Sequence, residues 1–418
     1  MIRQKSQTMT LDTLNTSHPS IWDLIIIGAG VSGLSMAQDA AHAGLKILLL
    51  EQDHRPGGCL HSHRFTGELD GFWLELGAHS AFNSYGNLLA LLESAGAMNR
   101  LRRRAKVSFR LYAEGAVRRI PSQLYFFELL LAPFRLLGSS KTGRSVADYF
   151  GHIVGPHNYA AVFEPAFNAV ICQPAGEFPA DSLFNSRPRR QDVPRGFTLS
   201  GGLQTIAEIL AEQPGVNIAF GQTVQAVRRE GGDFIVLTDS GEVFARSLCL
   251  ATPVAVATRL LQTGFPALAE RLAEISTAMV DTVGVVVPKS ALTLPPVAGL
   301  IGRNQAFYSA VSRDVFPDEQ YRAFTFHFRP GVLDEMGQRD CIARTLNCPH
   351  ERLTTNVARK TNQLPALRVG HGERTRDVDR ILAGTRLALT GNYFTGVAIE
   401  DCIIRSRQEW TRLQREAG

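Results

Sequence analysis

Four bulky apolar residues in succession, Leu24-Ile25-Ile26-Ile27, stand between Asp23 and Gly28. A short apolar run that stops at a glycine predicts a strand buried on both faces, here over Asp23–Gly28. Glycines then lead into a helix predicted over residues 31–43, and a second apolar strand follows at Lys46–Glu51. Residues 85–97 and 123–168 read as mainly helical. Between 216 and 251 the pattern shortens to alternating strands with glycine turns, Glu230-Gly231-Gly232-Asp233 and Asp239-Ser240-Gly241-Glu242. Strands return at Val280–Val287 and Arg322–Phe328, and beyond Gly391 a glycine turn opens a final amphipathic helix. Strand, helix, strand at one end with β-rich segments later predicts an α/β fold with at least one domain assembled from separate stretches of chain.

The nearest approach to a membrane-length apolar run is Tyr125–Leu137, which is too short to span and carries Glu128, Pro133 and Arg135. It suits a membrane interface, a cap over a greasy pocket, or a buried helix kinked at the proline. Residues 1–20 are polar, lack the apolar centre of a signal peptide, and are expected to form a loose tail.

With 44% hydrophobic residues the chain is not a disordered one. Its 44 basic and 39 acidic residues leave a net charge of +5 over 418 residues. That mild bias suits an acidic small molecule or an anionic membrane surface, and is no nucleic-acid signature. Six scattered cysteines without a Cys-x-x-Cys pair point to a reduced, cytoplasmic chain. Cys341, Cys348 and His350 lack a fourth ligand at suitable spacing, so no metal is expected. The 11 histidines show no spacing that suggests a Ser or Cys nucleophile with its base.

Chemistry concentrates at Gly28-Ala29-Gly30-Val31-Ser32-Gly33, which follows the first strand and opens the first helix. In such a turn Gly28 allows the tight bend, Gly30 lets backbone approach a pyrophosphate, and Gly33 permits close helix–strand packing. The helix N-terminus offers free N–H groups and a positive dipole end to phosphate. Glu51 ends the second strand, 18 residues past Gly33, placed to hydrogen-bond a ribose hydroxyl; a 2′-phosphate there would meet like charge. These residues predict a Rossmann-like dinucleotide domain over 21–98, 196–262 and 383–418. A helical substrate- or membrane-facing insertion is expected over 99–195, and a mixed-sheet substrate domain over 263–382.

Gly57-Gly58 follow within Glu51-Gln52-Asp53-His54-Arg55-Pro56-Gly57-Gly58, and Trp73-Leu74-Glu75-Leu76-Gly77-Ala78 comes next. The first resembles the second glycine element of flavin amine oxidases, the other their Glu-Leu-Gly segment beside the flavin. The resemblance implies non-covalent FAD. Cys59 stands where most members carry Arg and is expected to be an uncharged filler rather than a redox group.

Five later segments resemble the protoporphyrinogen and coproporphyrinogen oxidase branch. Leu199–Thr205 is similar to its Gly-Gly-Leu-Gln-Thr-Leu element, ahead of Gly221-Gln222-Thr223-Val224, whose Val is implied to contact adenine. Ala251-Thr252-Pro253 is similar to its Ala-x-Pro return to the substrate domain. Phe307–Pro317 resembles a substrate-domain strand pair and Leu364–Arg374 a Pro-x-Tyr-x-x-Gly-His segment. Gly391-Asn392-Tyr393-Phe394-Thr395-Gly396-Val397-Ala398-Ile399-Glu400-Asp401-Cys402 resembles the C-terminal element that closes over the flavin.

What this implies is oxidation of a hydrophobic, carboxylated tetrapyrrole in its porphyrinogen form, by hydride transfer to flavin in three two-electron rounds, with O2 as acceptor. No catalytic side chain is expected, because the cofactor carries the hard step. Phe126–Leu137 and Phe163–Phe167 are candidates for a hydrophobic wall, and His79, Asn83, Phe167 and Tyr393 for pocket lining. Substrate carboxylates call for arginine; Arg100–Lys106 and Arg187–Arg190 are the candidate clusters, since Ala81-Phe82-Asn83 lacks the propionate-pairing Arg of the eukaryotic-type enzymes. The implied setting is cytoplasmic, with peripheral contact on the inner membrane face and no nucleic acid. Rival readings are an amine or polyamine oxidase, a carotenoid-type desaturase, and a non-enzymatic flavin- or porphyrin-binding scaffold. Against the first, Asp281–Val287 contains no Lys, Lys289 follows Pro288, and Tyr393 is half an aromatic cage at most.

Overall fold

The computed structural model describes residues 21–353 and 356–417; the expected tail over 1–20 lies outside them. Two seven-stranded sheets organise the chain. In the first, strand β1 (Trp22–Ile27) lies between strand β2 (Ile47–Glu51) and the long strand Gly241–Leu250, parallel to both. Helix α1 (Val31–His42) crosses between β1 and β2. Ile218–Phe220 extends the sheet beyond β2, and Val224–Glu230 and Asp233–Thr238 form an antiparallel meander onto Gly241–Leu250. That strand is long because it serves two partners along one edge: Phe234 faces Ala245, and further along Leu387 faces Leu248 in parallel register.

The apolar run at β1 is uninterrupted because both its faces are covered. Leu24 and Ile26 pack with Leu34, Met36 and Ala37 of α1 and with Ile206 and Leu210 of the helix Gln204–Ala211. Ile25 and Ile27 pack on the other face with Val254, Ala257 and Leu261. The C-terminal helix Ile399–Ala417 lies against α1, where Ser406 donates to the Ser32 carbonyl at 3.0 Å. Glu400 accepts from the N–H groups of Asn87 and Leu88, capping the helix Gly86–Ser94. The α/β reading and the separate stretches of the dinucleotide sheet thus appear in the topology.

The second sheet runs Val357–Pro365, Thr277–Pro288, Tyr321–Phe328, Phe307–Ser312, Gly299–Gly302, Phe109–Ala113, Ala116–Arg118. Its last two strands correct the picture of 99–195 as helical. Phe109–Ala113 alternates faces, with Leu111 and Ala113 packed on Ile301 and Tyr112 in the opposite core, so it takes a sheet position parallel to Gly299–Gly302. Helices resume at Phe126–Leu129, Ala132–Leu136, Val146–Val154 and Glu164–Ile171.

The stretch Tyr125–Leu137 is not a buried kinked helix. The chain breaks at Leu130–Leu131 into two short helices, with Pro133 in the first turn of the second, where its missing N–H costs nothing. Phe127 is 73% exposed, Phe134 72%, Leu137 78% and Leu130 68%. Glu128 turns inward and is held by His157 and Asn158, so the outward face carries no acid.

Candidate functional site

The glycines of the first turn are not equivalent. A Cβ on Gly28 would lie 2.7 Å from the Ala251 carbonyl, and one on Gly33 would lie 2.0 Å from the Gly28 carbonyl; these two are demanded by the fold. Gly30 has φ −70° and ψ 174°, open to any residue, and a Cβ there meets nothing within 4 Å. It is the N-cap of α1, and no side chain caps that helix. The first-turn N–H groups, Val31, Ser32 and Gly33 among them, are therefore available to a group entering over Gly30.

Glu51 locks the turn from behind. Its Oε2 accepts from Ala29 N at 2.7 Å and its Oε1 from Asp53 N at 2.9 Å, while burial pushes its pKa up. Each oxygen retains acceptor capacity for a hydroxyl. Gln222, whose N–H donates to the Glu51 carbonyl, has a buried Oε1 with no partner among the described residues. Val224 is packed in the core, where the strand bulges before Ala226. Gln52 is exposed beside Glu51, and Pro253 starts the helix Val254–Leu261 just past Ala251.

The second glycine element docks on the first, with Gly57 N donating to the Ala29 carbonyl at 2.8 Å. Gly58 has φ +55° and its Cα side lies against Gly30. Gly77 is required by contact, since its Cβ would lie 2.0 Å from the Cys59 carbonyl, and Ala78 N donates to that carbonyl at 2.9 Å. Cys59 keeps open surface beside this loop. Burial pushes its thiol pKa up, against the pull of Lys360 and Arg55, which suits an uncharged filler.

Two cations at this loop escape the local sequence pattern. Arg55 donates to the Gly58 carbonyl at 3.3 Å, and Lys360 Nζ to the same oxygen at 3.2 Å. Lys360 faces Thr282 across the sheet, beside the strand that itself lacks a Lys. No spacing signal announces it; only the pairing of Val357–Pro365 with Thr277–Pro288 brings it there. Asn362 from the same strand donates to the Leu76 carbonyl at 2.8 Å, tying the second sheet to the Glu-Leu-Gly segment.

Glu75 in that segment accepts from Ser62 Oγ at 2.6 Å and Leu203 N at 2.9 Å, and burial pushes its pKa up to about 7. The sign follows from linkage. Between the ordinary carboxylate pKa near 4.5 and about 7, the folded chain keeps a proton that the unfolded chain loses, so stability falls as pH rises through that window. Glu75→Gln is expected to flatten the loss, which is on the order of 3 kcal/mol. Denaturant unfolding of flavin-free protein at pH 5 and pH 8 checks this, and an equal pH dependence in both proteins would refute it.

Of the four candidate pocket residues, His79 keeps open surface. Its Nδ1 lies 3.0 Å from Ser80 Oγ, and its ring centre 6.2 Å from that of His327, whose Nδ1 meets Ser309 Oγ at 3.0 Å. Burial lowers these imidazoles to about 3 and about 4, so both are neutral at pH 7. Arg104 donates to Ser80 Oγ at 2.6 Å; because arginine can only donate, the arrangement favours Ser80 donating to Nδ1 and a proton on His79 Nε2.

The other three are corrections. Asn83 is 7% exposed and its amide nitrogen donates to the Arg190 and Val193 carbonyls. Phe167 is core, 4.7 Å from Phe150 and 6.0 Å from Phe163 between ring centres. Tyr393 is fully buried against Phe394 and beneath Gly391, where a Cβ would lie 2.6 Å from its ring. Around it, Asn392, Val397 and Ala398 are half-buried, and Gly396 and Ile399 buried, at the mouth of the C-terminal helix. Asp401 holds this turn by accepting from Ala398 N and pairing with Arg187.

The donor set fits a flavin dinucleotide: an uncapped helix start, a glycine cradle that a Cβ would fill, an acceptor carboxylate behind it, and a second glycine loop alongside. Residues 31–326 match the family described as flavin containing amine oxidoreductase. The coproporphyrinogen III oxidase of Propionibacterium freudenreichii subsp. freudenreichii is 29% identical over 246 residues, 50% of this chain and 43% of that relative. The L-amino-acid oxidase of Daboia russelii is 45% identical over 62 residues, 15% of this chain and 12% of that relative. The chain thus matches less than half the length of these curated relatives. Among solved structures, a chain described as a protoporphyrinogen oxidase from Exiguobacterium sp. 255-15 superposes with TM-score 0.73 at 21% identity, covering 96% of this chain and 100% of that one. Reduced UDP-galactopyranose mutase superposes with TM-score 0.71 at 16% identity, covering 94% and 96%. With the family's pattern running through most of its length, the chain belongs to the flavin containing amine oxidoreductases.

Proposed function

We propose that the chain oxidises a porphyrinogen-type substrate, of the protoporphyrinogen or coproporphyrinogen kind, with non-covalent FAD and with O2 as the acceptor. The observation that carries this is the breadth of likeness to the coproporphyrinogen III oxidase, 246 residues, against 62 for the L-amino-acid oxidase. Bound FAD supplies the two-electron acceptor. The glycines at 28, 30, 33, 57 and 58 with Ala29, Val31 and Ser32 would cradle the diphosphate, and Glu51 and Gln222 would take the ribose end, beside Gln52 and Val224. Cys59, Gly77, Ala78, Ala251, Pro253 and the turn from Gly391 and Asn392 through Gly396 to Ile399 would enclose the rest.

In this reading the protein positions the substrate and excludes water. His79, neutral at pH 7 and engaged with Ser80 through Nδ1, would offer its other ring nitrogen to the substrate. Among the described residues no helix is long and apolar enough to cross a membrane. The acid-free apolar face over 126–137 supports peripheral contact with a bilayer, as a substrate of low water solubility would require.

The test is anaerobic: FAD-loaded protein is mixed with coproporphyrinogen III, protoporphyrinogen IX, putrescine and phytoene, and flavin absorbance is followed. Bleaching by a porphyrinogen is the expected result. Bleaching by putrescine or phytoene alone would replace the proposal with an amine oxidase or a desaturase, and a flavin that none of them reduces would also overturn it.

A further inference from the structure

Two basic clusters compete for the role of recognising acid groups, and the structure separates them. Arg187 is paired with Asp401, and Arg190 with Glu93 at 2.7 Å and Asp192 at 2.6 Å. Among the described residues, by contrast, Arg103, Arg104 and Lys106 have no carboxylate within 4.0 Å. They line one groove of about 510 Å³ together with Ala105, Phe316 and Pro317.

That groove is a built surface. Leu101–Arg103 is fixed by pairing with Gly196–Leu199, and Ala105 N donates to the Val315 carbonyl at 2.7 Å, holding the basic segment against the apolar floor. Phe316 is itself set by Trp73, 5.1 Å away between ring centres, while Arg313 lies over the Trp73 ring at 4.2 Å. Arg104 also reaches Ser80, the hydroxyl that meets His79, so a single guanidinium joins the groove to that imidazole. Its Nη1 is used there, and the remaining N–H groups of the fork are available for a planar two-oxygen acceptor.

We propose that this groove binds a carboxylate of the substrate, an amphipathic acid whose apolar body lies on Phe316 and Pro317, and that Arg104 is the specificity-determining residue that anchors it. The proposal rests on the reading of the surroundings of His79 as the site of flavin-dependent oxidation. Arg103 and Lys106 are exposed and add attraction that salt screens, whereas Arg104 is half-buried and is screened less.

The test uses FAD-loaded protein and two probes, coproporphyrin III and palmitate, titrated by quenching of tryptophan fluorescence, which Trp73 reports from behind Phe316. Arg104→Gln is expected to weaken binding of a recognised acid about tenfold, and Arg103→Gln with Lys106→Gln about threefold, with flavin content and melting temperature unchanged. Should Arg104→Gln lose flavin or fold poorly, the exposed double variant decides, and an unchanged affinity in it overturns the groove. Coproporphyrin bound equally by wild type and Arg104→Gln overturns the groove and leaves the porphyrinogen reading standing. Palmitate bound in an Arg104-dependent way, with coproporphyrin unbound, supports the groove and removes the porphyrinogen reading. Neither acid binding to wild type overturns the groove.

Discussion

Gly30→Val is expected to yield a folded but colourless protein. The backbone at Gly30 already sits in the extended region, which a β-branched residue accepts, and a Cβ there contacts no protein atom. Flavin-free variant and flavin-free wild type should therefore melt within a degree or two of each other. The comparison must be made without flavin, because a bound cofactor raises the wild-type transition by mass action. The two γ-methyls, however, would fill the space over the first-turn N–H groups of α1, where a diphosphate has to come within hydrogen-bond distance. FAD affinity should fall at least a thousandfold, and purified protein should carry almost none. Gly33→Ala is the contrasting control: its Cβ would lie 2.0 Å from a carbonyl oxygen, so it should damage the fold itself. A yellow, stoichiometrically loaded Gly30→Val protein would refute the cradle.

The second large effect is expected at the apolar face. Replacing Phe127, Phe134 and Leu137 together with Ser removes three side chains that are each more than 70% exposed, so fold stability should hardly change. Full burial of such a side chain contributes about 1.5–3 kcal/mol. Half of that at each of three positions amounts to roughly 3 kcal/mol, or about a hundredfold in partitioning. Arg135 lies in the same stretch of chain and Lys141 and Arg144 follow it in sequence, which favours anionic lipid. Sedimentation with vesicles of phosphatidylcholine containing 30% phosphatidylglycerol should recover wild type and leave the triple variant in solution. Equal recovery of the two, or no binding by wild type, would return the segment to another role.

What could be read from residues alone follows from how local each feature is. The turn at Gly28–Gly33 announces itself because a buried strand, a tight bend and a helix start impose their needs within about ten residues. Glu51 was likewise legible as an anchor, but not its second task of receiving the Ala29 N–H, which depends on the loop's path. Lys360 could not be found from the gap left at Cys59, since it arrives from 301 positions away through sheet pairing. Asn83, Phe167 and Tyr393 illustrate the opposite error. Position beside a functional segment, or for Phe167 an apolar stretch, suggests lining roles, whereas packing buries all three side chains. The strand Phe109–Ala113 was hidden because five residues of weak alternation gain their sheet identity from a partner, Gly299–Gly302, far along the chain.

The clasp between Ile399–Ala417 and α1 has a further consequence, for biosynthesis. The dinucleotide sheet needs Leu387–Leu389, and α1 needs Ser406 and its neighbours, so the amino-terminal turn remains uncovered until those residues leave the ribosome. Strand β1 is made long before it finds its full surroundings, a high-contact-order arrangement that folds slowly and leaves apolar surface open to chaperones during translation. Cofactor capture is then expected only after residue 406 has emerged, and riboflavin starvation should accumulate flavin-free protein rather than truncated fragments.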